Sequence, residues 1–290
     1  MKLSTFTEAG TTRLGVVVGE EIVDLAAARP ALPGTMIEFL RAGDDALGAA
    51  KKAMEDGARL PLSSVKLEAP IPRPGKVMAI GLNYGDHVAE AKLEMPKHQI
   101  WFSKAATCVA APYDAILKPA VSDFLDYEAE LCVVIGKRAK HVSPDQAAEV
   151  IAGYCCGNDV SVRDWQLRTP QYVIGKSFDT HGPIGPWLTT ADEVGNPHAL
   201  DIKCWVNGEL RQNSNTQHLI FNCFEQVAEL SQAMTLEPGD VIFTGTSGGV
   251  GGLMDPPQFL KVGDVVRVEI DKLGAIENRV ELEHANTLIG

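Results

Sequence analysis

Asp126-Tyr127-Glu128-Ala129-Glu130-Leu131-Cys132-Val133-Val134-Ile135-Gly136 is the run on which the reading of the whole chain turns. Its near-alternating side chains, β-branched residues toward the end and closing glycine predict a strand. Successive side chains of a strand point to opposite faces, so Glu128 and Glu130 share one face. Tyr127, Ala129, Leu131, Val133 and Ile135 share the other, which is apolar and suited to a core. Two neighbouring carboxylates repel each other, and burying them unpaired is costly. A divalent cation that takes oxygen ligands (Mg²⁺, Mn²⁺ or Ca²⁺ rather than Zn²⁺) is the economical partner for the pair. An exposed strand face with two solvated glutamates fits the same pattern. The stretch alone leaves both readings open.

The composition sets the frame. A chain of 290 residues, 45% hydrophobic and 22% charged, is long enough for one large core plus a smaller domain. No apolar run approaches the ~18–20 residues that span a bilayer, and the first residues carry no apolar signal segment. No membrane partner is expected. A net charge of −12 argues against a nucleic-acid partner, which needs a basic face. It leaves room for an anionic small molecule in a locally positive pocket. The six cysteines (108, 132, 155, 156, 204 and 223) form no C-x-x-C pair, and several lie in apolar, strand-like stretches. Free cysteine behaves there as a small hydrophobe, so a reduced, cytoplasmic setting is expected.

Upstream of the decisive run, residues 1–25 read as short strands, and residues 35–56 as a helix interrupted near Gly43. Pro61, Pro70, Pro72 and Pro74 mark an extended connector, which places a domain boundary at about residue 70: 1–70 and 71–290. Lys76–Ile80 is a predicted strand, followed by a helix with Asn83 as its expected N-cap. On that helix His87 and Glu90 fall at i and i+3, adjacent on one face, where a carboxylate can orient an imidazole as a general base requires. A surface His–Glu pair gives the same spacing.

Downstream, Ile151–Val160 is an apolar strand that closes on Asn158-Asp159, and Lys176 follows in a Gly-containing segment. Two Pro/Val-Gly-Asp turns, at Gly239 and Gly263, each launch a strand. Between them, Gly245–Gly252 lacks the lysine of a P-loop, yet such a loop can bring backbone N–H groups to a carboxylate. Many strands, few helices and no regular βαβ alternation give an α+β class with a mixed or antiparallel sheet system.

Taken together, the motifs are more specific than any one of them. Gly81-Leu82-Asn83-Tyr84-x-Asp86-His87-x-x-Glu90, Tyr127-Glu128-x-Glu130-Leu131, Asn158-Asp159 with Arg163-Asp164-x-Gln166, Gly175-Lys176-Ser177-Phe178-Asp179, and Pro238-Gly239-Asp240 with Thr244-Gly245-Thr246 occur in this order. The series resembles the fumarylacetoacetate hydrolase family over roughly residues 70–285, with the first ~70 similar to that family's small N-terminal α+β domain. The resemblance implies a mixed β-sandwich roll and a homodimer. It implies Mg²⁺ or Mn²⁺ on Glu128, Glu130 and Asp159, with Ca²⁺ a further candidate. It implies His87 and Glu90 as a dyad and Lys176 as the active-site lysine. Arg163, Gln166 and Thr246 fall at substrate-pocket positions. Ser247 stands where many members carry proline.

The chemistry implied is hydrolysis of a carbon–carbon bond in a 2,4-dioxo acid, an acylpyruvate or a diketo sugar acid, through a pyruvate enolate. In that scheme Glu90 orients His87, which activates water. A decarboxylase or an enol–keto isomerase of related 2-oxo acids such as oxaloacetate would use the same residues without a water nucleophile. A carboxylate-binding module without turnover is the remaining alternative, although pure binding needs no base. Neither H-E-x-x-H nor a histidine cluster at zinc-ligand spacing is present.

Overall fold

The computed structural model describes residues 1–284 and 286–289. Two sheets dominate. The longer has twelve strands. Its main path runs Arg59–Pro61, Glu21–Asp24, Thr11–Val18, Lys2–Glu8, Gly182–Thr190, Ile151–Asn158, Ala129–Ile135, Val241–Thr246, Val77–Gly81, Ile100–Lys104. The second orders Glu209–Asn215, Asp201–Val206, Val265–Ile270, Gly274–Leu282, Ile116–Lys118. This is the expected α+β class, with sheets packed face to face.

Ala129–Ile135 sits inside the long sheet, antiparallel to both neighbours. Ala129, Leu131, Val133 and Ile135 point into a core shared with Ile202, Cys204, Val266, Val268 and Ile270 of the second sheet. Cys132 and Val134 point the other way, into a core with Met36, Phe39 and Leu40. Burial of side chains of this size contributes roughly 1.5–3 kcal/mol each, which fixes the register of the strand. With both faces covered, the solvated-glutamate reading fails: Glu128 and Glu130 are 5% and 1% exposed.

The predicted strand is broken at its start. Leu125–Asp126 pairs with Ser161–Val162 in a separate two-stranded ladder, and Tyr127 and Glu128 lie between it and Ala129–Ile135. Side chains satisfy the backbone there. The N–H groups of Tyr127, Glu128 and Ala129 donate to Asp126 Oδ1, Asn158 Oδ1 and Gln212 Oε1, each at 2.9 Å. Buried amides need partners, and polar side chains serve where no strand edge is available.

The helix Met36–Asp56 covers the long sheet and kinks at Gly43, whose φ of 64° and ψ of −140° suit glycine. Lys2–Glu8 pairs with Gly182–Thr190 through Lys2↔Thr189 and Leu3↔Leu188, so N-terminal strands extend the same sheet. Residues 68–76 form the expected irregular connector. The helix expected to be capped by Asn83 runs Gly85–Glu90 with Tyr84 at its N-cap position. Asn83 is buried instead, donating to the carbonyls of Phe221 (3.0 Å) and Thr244 (2.8 Å) and accepting from Phe221 N–H at 2.8 Å. Pairing two backbone segments satisfies its amide better than an exposed cap would. Among the described residues, no helix is long and apolar enough to cross a membrane.

Candidate active site

Glu128, Glu130 and Asp159 converge where the central strand meets the end of Ile151–Asn158. One oxygen from each lies within 4.8 Å of the others, and all three are buried. Their settings differ. Burial works against the charge of Glu128, yet Lys176 and Arg163 outweigh it and hold its pKa down at about 2. Lys176 Nζ stands 2.7 Å from Glu128 Oε2, and Arg163 Nη1 stands 2.5 Å from Oε1. Among the described residues, Glu130 receives only the Gly245 N–H, at 2.7 Å on Oε2. Burial, reinforced by the charges of Asp159 and Glu128, pushes its carboxyl well above the usual range. An all-oxygen, buried triad with one member lacking a cation partner fits a hard divalent ion.

Asp159 lies between two ammonium groups. Lys176 Nζ is 2.9 Å from Oδ2, and Lys104 Nζ is 2.5 Å from Oδ1. Lys104 is buried and also donates to the backbone carbonyls of Lys176 and His181. Burial alone would lower its pKa, but Asp159 reverses the direction. Sequence reasoning missed Lys104. The signal was a lysine closing the strand Ile100–Lys104 on the same face as buried Phe102. Gly175 places Lys176: a Cβ there would lie 2.1 Å from the Gln166 amide nitrogen, so only glycine lets this segment lie against the Arg163–Gln166 turn.

His87 and Glu90 come together, with Nδ1 3.7 Å from Oε2, which is too long for a hydrogen bond. The carboxylate of Glu90 instead accepts Gly249 N–H at 3.0 Å, and His87 Nδ1 is buried without a partner. Desolvation lowers the His87 pKa from 6.5, opposed by the charges of Glu128 and Glu90 and aided by those of Arg163 and Lys176, so the neutral imidazole is favoured at pH 7. The glycine loop thus serves the protein's own carboxylates. Gly245, Gly249, and Gly251 with Gly252 donate to Glu130, Glu90 and Asp126 respectively.

A cavity of about 540 Å³ opens over these groups. His87, Glu128, Arg163, Gln166, Lys176 and Thr246 line it, and Phe102, Phe124, Tyr172 and Phe259 supply apolar wall. Glu90, Glu130 and Asp159 stand behind that lining. Arg163 Nη1 also donates to Gln166 Oε1 at 2.9 Å. The Thr246 hydroxyl is committed to the strand, donating to Ala129 O at 2.9 Å and accepting from Gln212 Nε2 at 2.8 Å. Gln212, which no sequence motif marked, therefore fixes both Thr246 and the Ala129 amide.

The family model described as fumarylacetoacetate (FAA) hydrolase C-terminal matches residues 76–281. The chain belongs to the fumarylacetoacetate hydrolase family. This family member is 46% identical over 267 residues to a rat (Rattus norvegicus) protein named oxaloacetate tautomerase Fahd2a, mitochondrial, covering 91% of this chain and 85% of that protein. Among solved structures it is similar to fumarylacetoacetate hydrolase from Exiguobacterium antarcticum, with TM-score 0.88, 34% identity, and coverage of 98% of this chain and 100% of that one. Maleylpyruvate hydrolase from Sphingobium sp. SYK-6, solved with manganese(II) and pyruvate, gives TM-score 0.83 and 36% identity with the same coverage.

Two expectations are corrected by the curated relatives. Carbon–carbon bond hydrolysis as the main reading is overturned by their naming as oxaloacetate tautomerases. Relatives and structural neighbours in this family are named both as tautomerases and as hydrolases, so the shared motifs do not separate the two activities. The cytoplasmic placement is likewise overturned, because the same relatives are named mitochondrial. Buried free thiols pack as small hydrophobes and carry no address.

Proposed function

We propose that the protein interconverts the enol and keto forms of oxaloacetate or a closely related 2-oxo dicarboxylic acid. The observation that carries this reading is the engagement of Glu90 with Gly249 rather than His87. A water-activating base works best with its imidazole oriented by a hydrogen-bonded carboxylate, a contact that His87 and Glu90 do not make here. Tautomerisation needs a group that removes the proton from the enol oxygen, directly or through solvent, and delivers one to C3, and the reverse in the other direction. Neutral His87 on the cavity wall serves that role at the substrate C3.

Glu128, Glu130 and Asp159 would hold Mg²⁺ or Mn²⁺, which when bound supplies Lewis acidity toward the 2-oxo oxygen. Lys176 balances the carboxylates and places positive charge where an enolate develops. Arg163, supported by Gln166, offers its guanidinium to a substrate carboxylate. The aromatic wall limits bulk water near the enolate. A homodimeric assembly belongs to the same proposal, and sedimentation checks it.

The test follows loss of the enol absorbance of oxaloacetate with Mg²⁺ present. The wild type accelerates ketonisation well beyond buffer and releases no pyruvate in step with it. His87→Ala loses ~10²–10⁴-fold of the acceleration, the usual contribution of an acid–base group. Because the His87 pKa lies below 6.5, the rate holds at neutral pH and falls only on acidification beneath that value. No acceleration over buffer, or stoichiometric pyruvate, overturns the proposal.

A further inference from the structure

We propose that Asp126 is a positioning residue that locks Arg163 and the glycine loop into one wall of the cavity; this rests on the reading of the site as one for a 2-oxo acid. Asp126 is fully buried and does not belong to the acidic triad. Its Oδ1 accepts the N–H groups of Tyr127 and Gly251, both at 2.9 Å. Its Oδ2 accepts Gly252 N–H at 2.8 Å and Arg163 Nε at 2.8 Å. Arg163 Nη2 is a further ion-pair contact at 2.8 Å, at an angle that makes no hydrogen bond.

A buried carboxylate with this many donors holds its surroundings rigidly, because each donor would otherwise be left unsatisfied. Two consequences reach the substrate. The inner edge of the guanidinium is tied to Asp126, which leaves Nη1 turned to Glu128 and Gln166 at the cavity. The tie to Gly251 and Gly252 sets the neighbouring loop residues Val250 and Leu253 as apolar wall on the other side. Arg163 is shared between Asp126 and Glu128. When Glu128 is drawn to another cation, Asp126 is the anion that keeps the guanidinium in place.

The test measures oxalate, a planar mimic of a 2-oxo acid enolate, binding to Mn²⁺-loaded protein by calorimetry. The proteins are wild type, Asp126→Asn, Arg163→Gln and the double variant. Asp126→Asn should weaken oxalate ~10-fold, the scale of losing a supporting contact around a ligand site. Mn²⁺ affinity should stay within ~3-fold, because Asp126 is not one of the triad. In the Arg163→Gln background the added effect of Asp126→Asn should shrink below ~2-fold, the coupling expected when one residue acts through another. A merely structural role would give multiplicative losses and lower Mn²⁺ affinity in step; that result overturns the proposal, as does unchanged oxalate affinity.

If Asp126→Asn fails to fold, Gly252→Ala probes the same point from the loop. A Cβ there would stand 3.1 Å from Asp126 Oδ2 and 3.5 Å from Arg163 Nε. It should weaken oxalate ~3-fold, and that loss should vanish in the Arg163→Gln background; unchanged binding or an undiminished loss overturns the proposal. Wild-type protein that binds oxalate without tautomerising oxaloacetate defeats the proposed function alone. Wild-type protein that tautomerises, with Asp126→Asn binding oxalate normally, defeats this inference alone. Wild-type protein that binds no oxalate overturns both.

Discussion

Glu128 and Glu130 stand two residues apart on one face of one chain segment, yet occupy opposite electrostatic regions. On the Glu128 side three cations crowd together: Lys176 and Arg163 on Glu128, and Lys104 with Lys176 on Asp159. On the Glu130 side there is one backbone N–H from Gly245. The first region stores its anions as ion pairs. In the second, burial and the neighbouring charges of Asp159 and Glu128 oppose the charge of Glu130 and push its carboxyl well above the usual range. A divalent ion would relieve the second region most, while on the first it must compete with ammonium and guanidinium groups.

The largest expected effect comes from Asp159, which pairs with Lys104 and Lys176 and has a carboxylate oxygen within 4.8 Å of Glu130. Asp159→Asn should abolish turnover and lower Mn²⁺ affinity by ~10²-fold or more, beyond the loss from an outer contact. Equilibrium dialysis checks the affinity; a variant that keeps wild-type Mn²⁺ binding would separate Asp159 from the ion.

Next is the cation-rich half alone. Lys104→Met should destabilise the fold by ~3–5 kcal/mol, the scale for removing one partner of a buried ion pair. Urea unfolding of the metal-free protein measures it. A cost below ~1 kcal/mol would show that Lys176 alone suffices for Asp159.

His181 sharpens the picture on that side, since its carbonyl receives Lys104. Burial lowers its imidazole pKa from 6.5 to about 3. Between these values the unfolded chain binds a proton that the folded one does not, so stability falls as pH drops from 6.5 toward 3. The slope from this group should approach ~1.4 kcal/mol per pH unit, and His181→Phe should remove it. Denaturation series across that window give the comparison.

The smallest effect contrasts the two glutamates directly. In EDTA-treated protein, Glu130→Gln should be neutral or stabilising by ~1 kcal/mol, because burial already favours the neutral carboxyl and the amide oxygen still accepts Gly245 N–H. Glu128→Gln should destabilise, since Lys176 and Arg163 each lose an anion. Equal losses in both variants would erase the difference between the halves.

How much of this was legible in the chain follows from where each interaction lies. Alternation in 126–136 set the two faces of the strand, and the turns at Gly239 and Gly263 take the expected positive φ of 88° and 97°. The clustering of Glu128, Glu130 and Asp159 matched what the family resemblance implied. The break before Ala129 was not legible, because the oxygen atoms that replace strand partners come from Asn158 and Gln212, remote in sequence. Lys104 stood in view on an apolar strand face, but only the fold shows that Asp159 lies opposite it.

Short segments encode which residues are chemically able and which face of a strand each one takes, because side-chain chemistry and local backbone period are local properties. Tertiary structure alone decided how charge is shared among them. Pairing depends on distances between segments as much as 159 residues apart, and it ties Glu90 to Gly249 rather than to His87, and Asp126 to Arg163 and the glycine loop. Ionisation and orientation inside a buried site follow from those distances, and no local pattern encodes them.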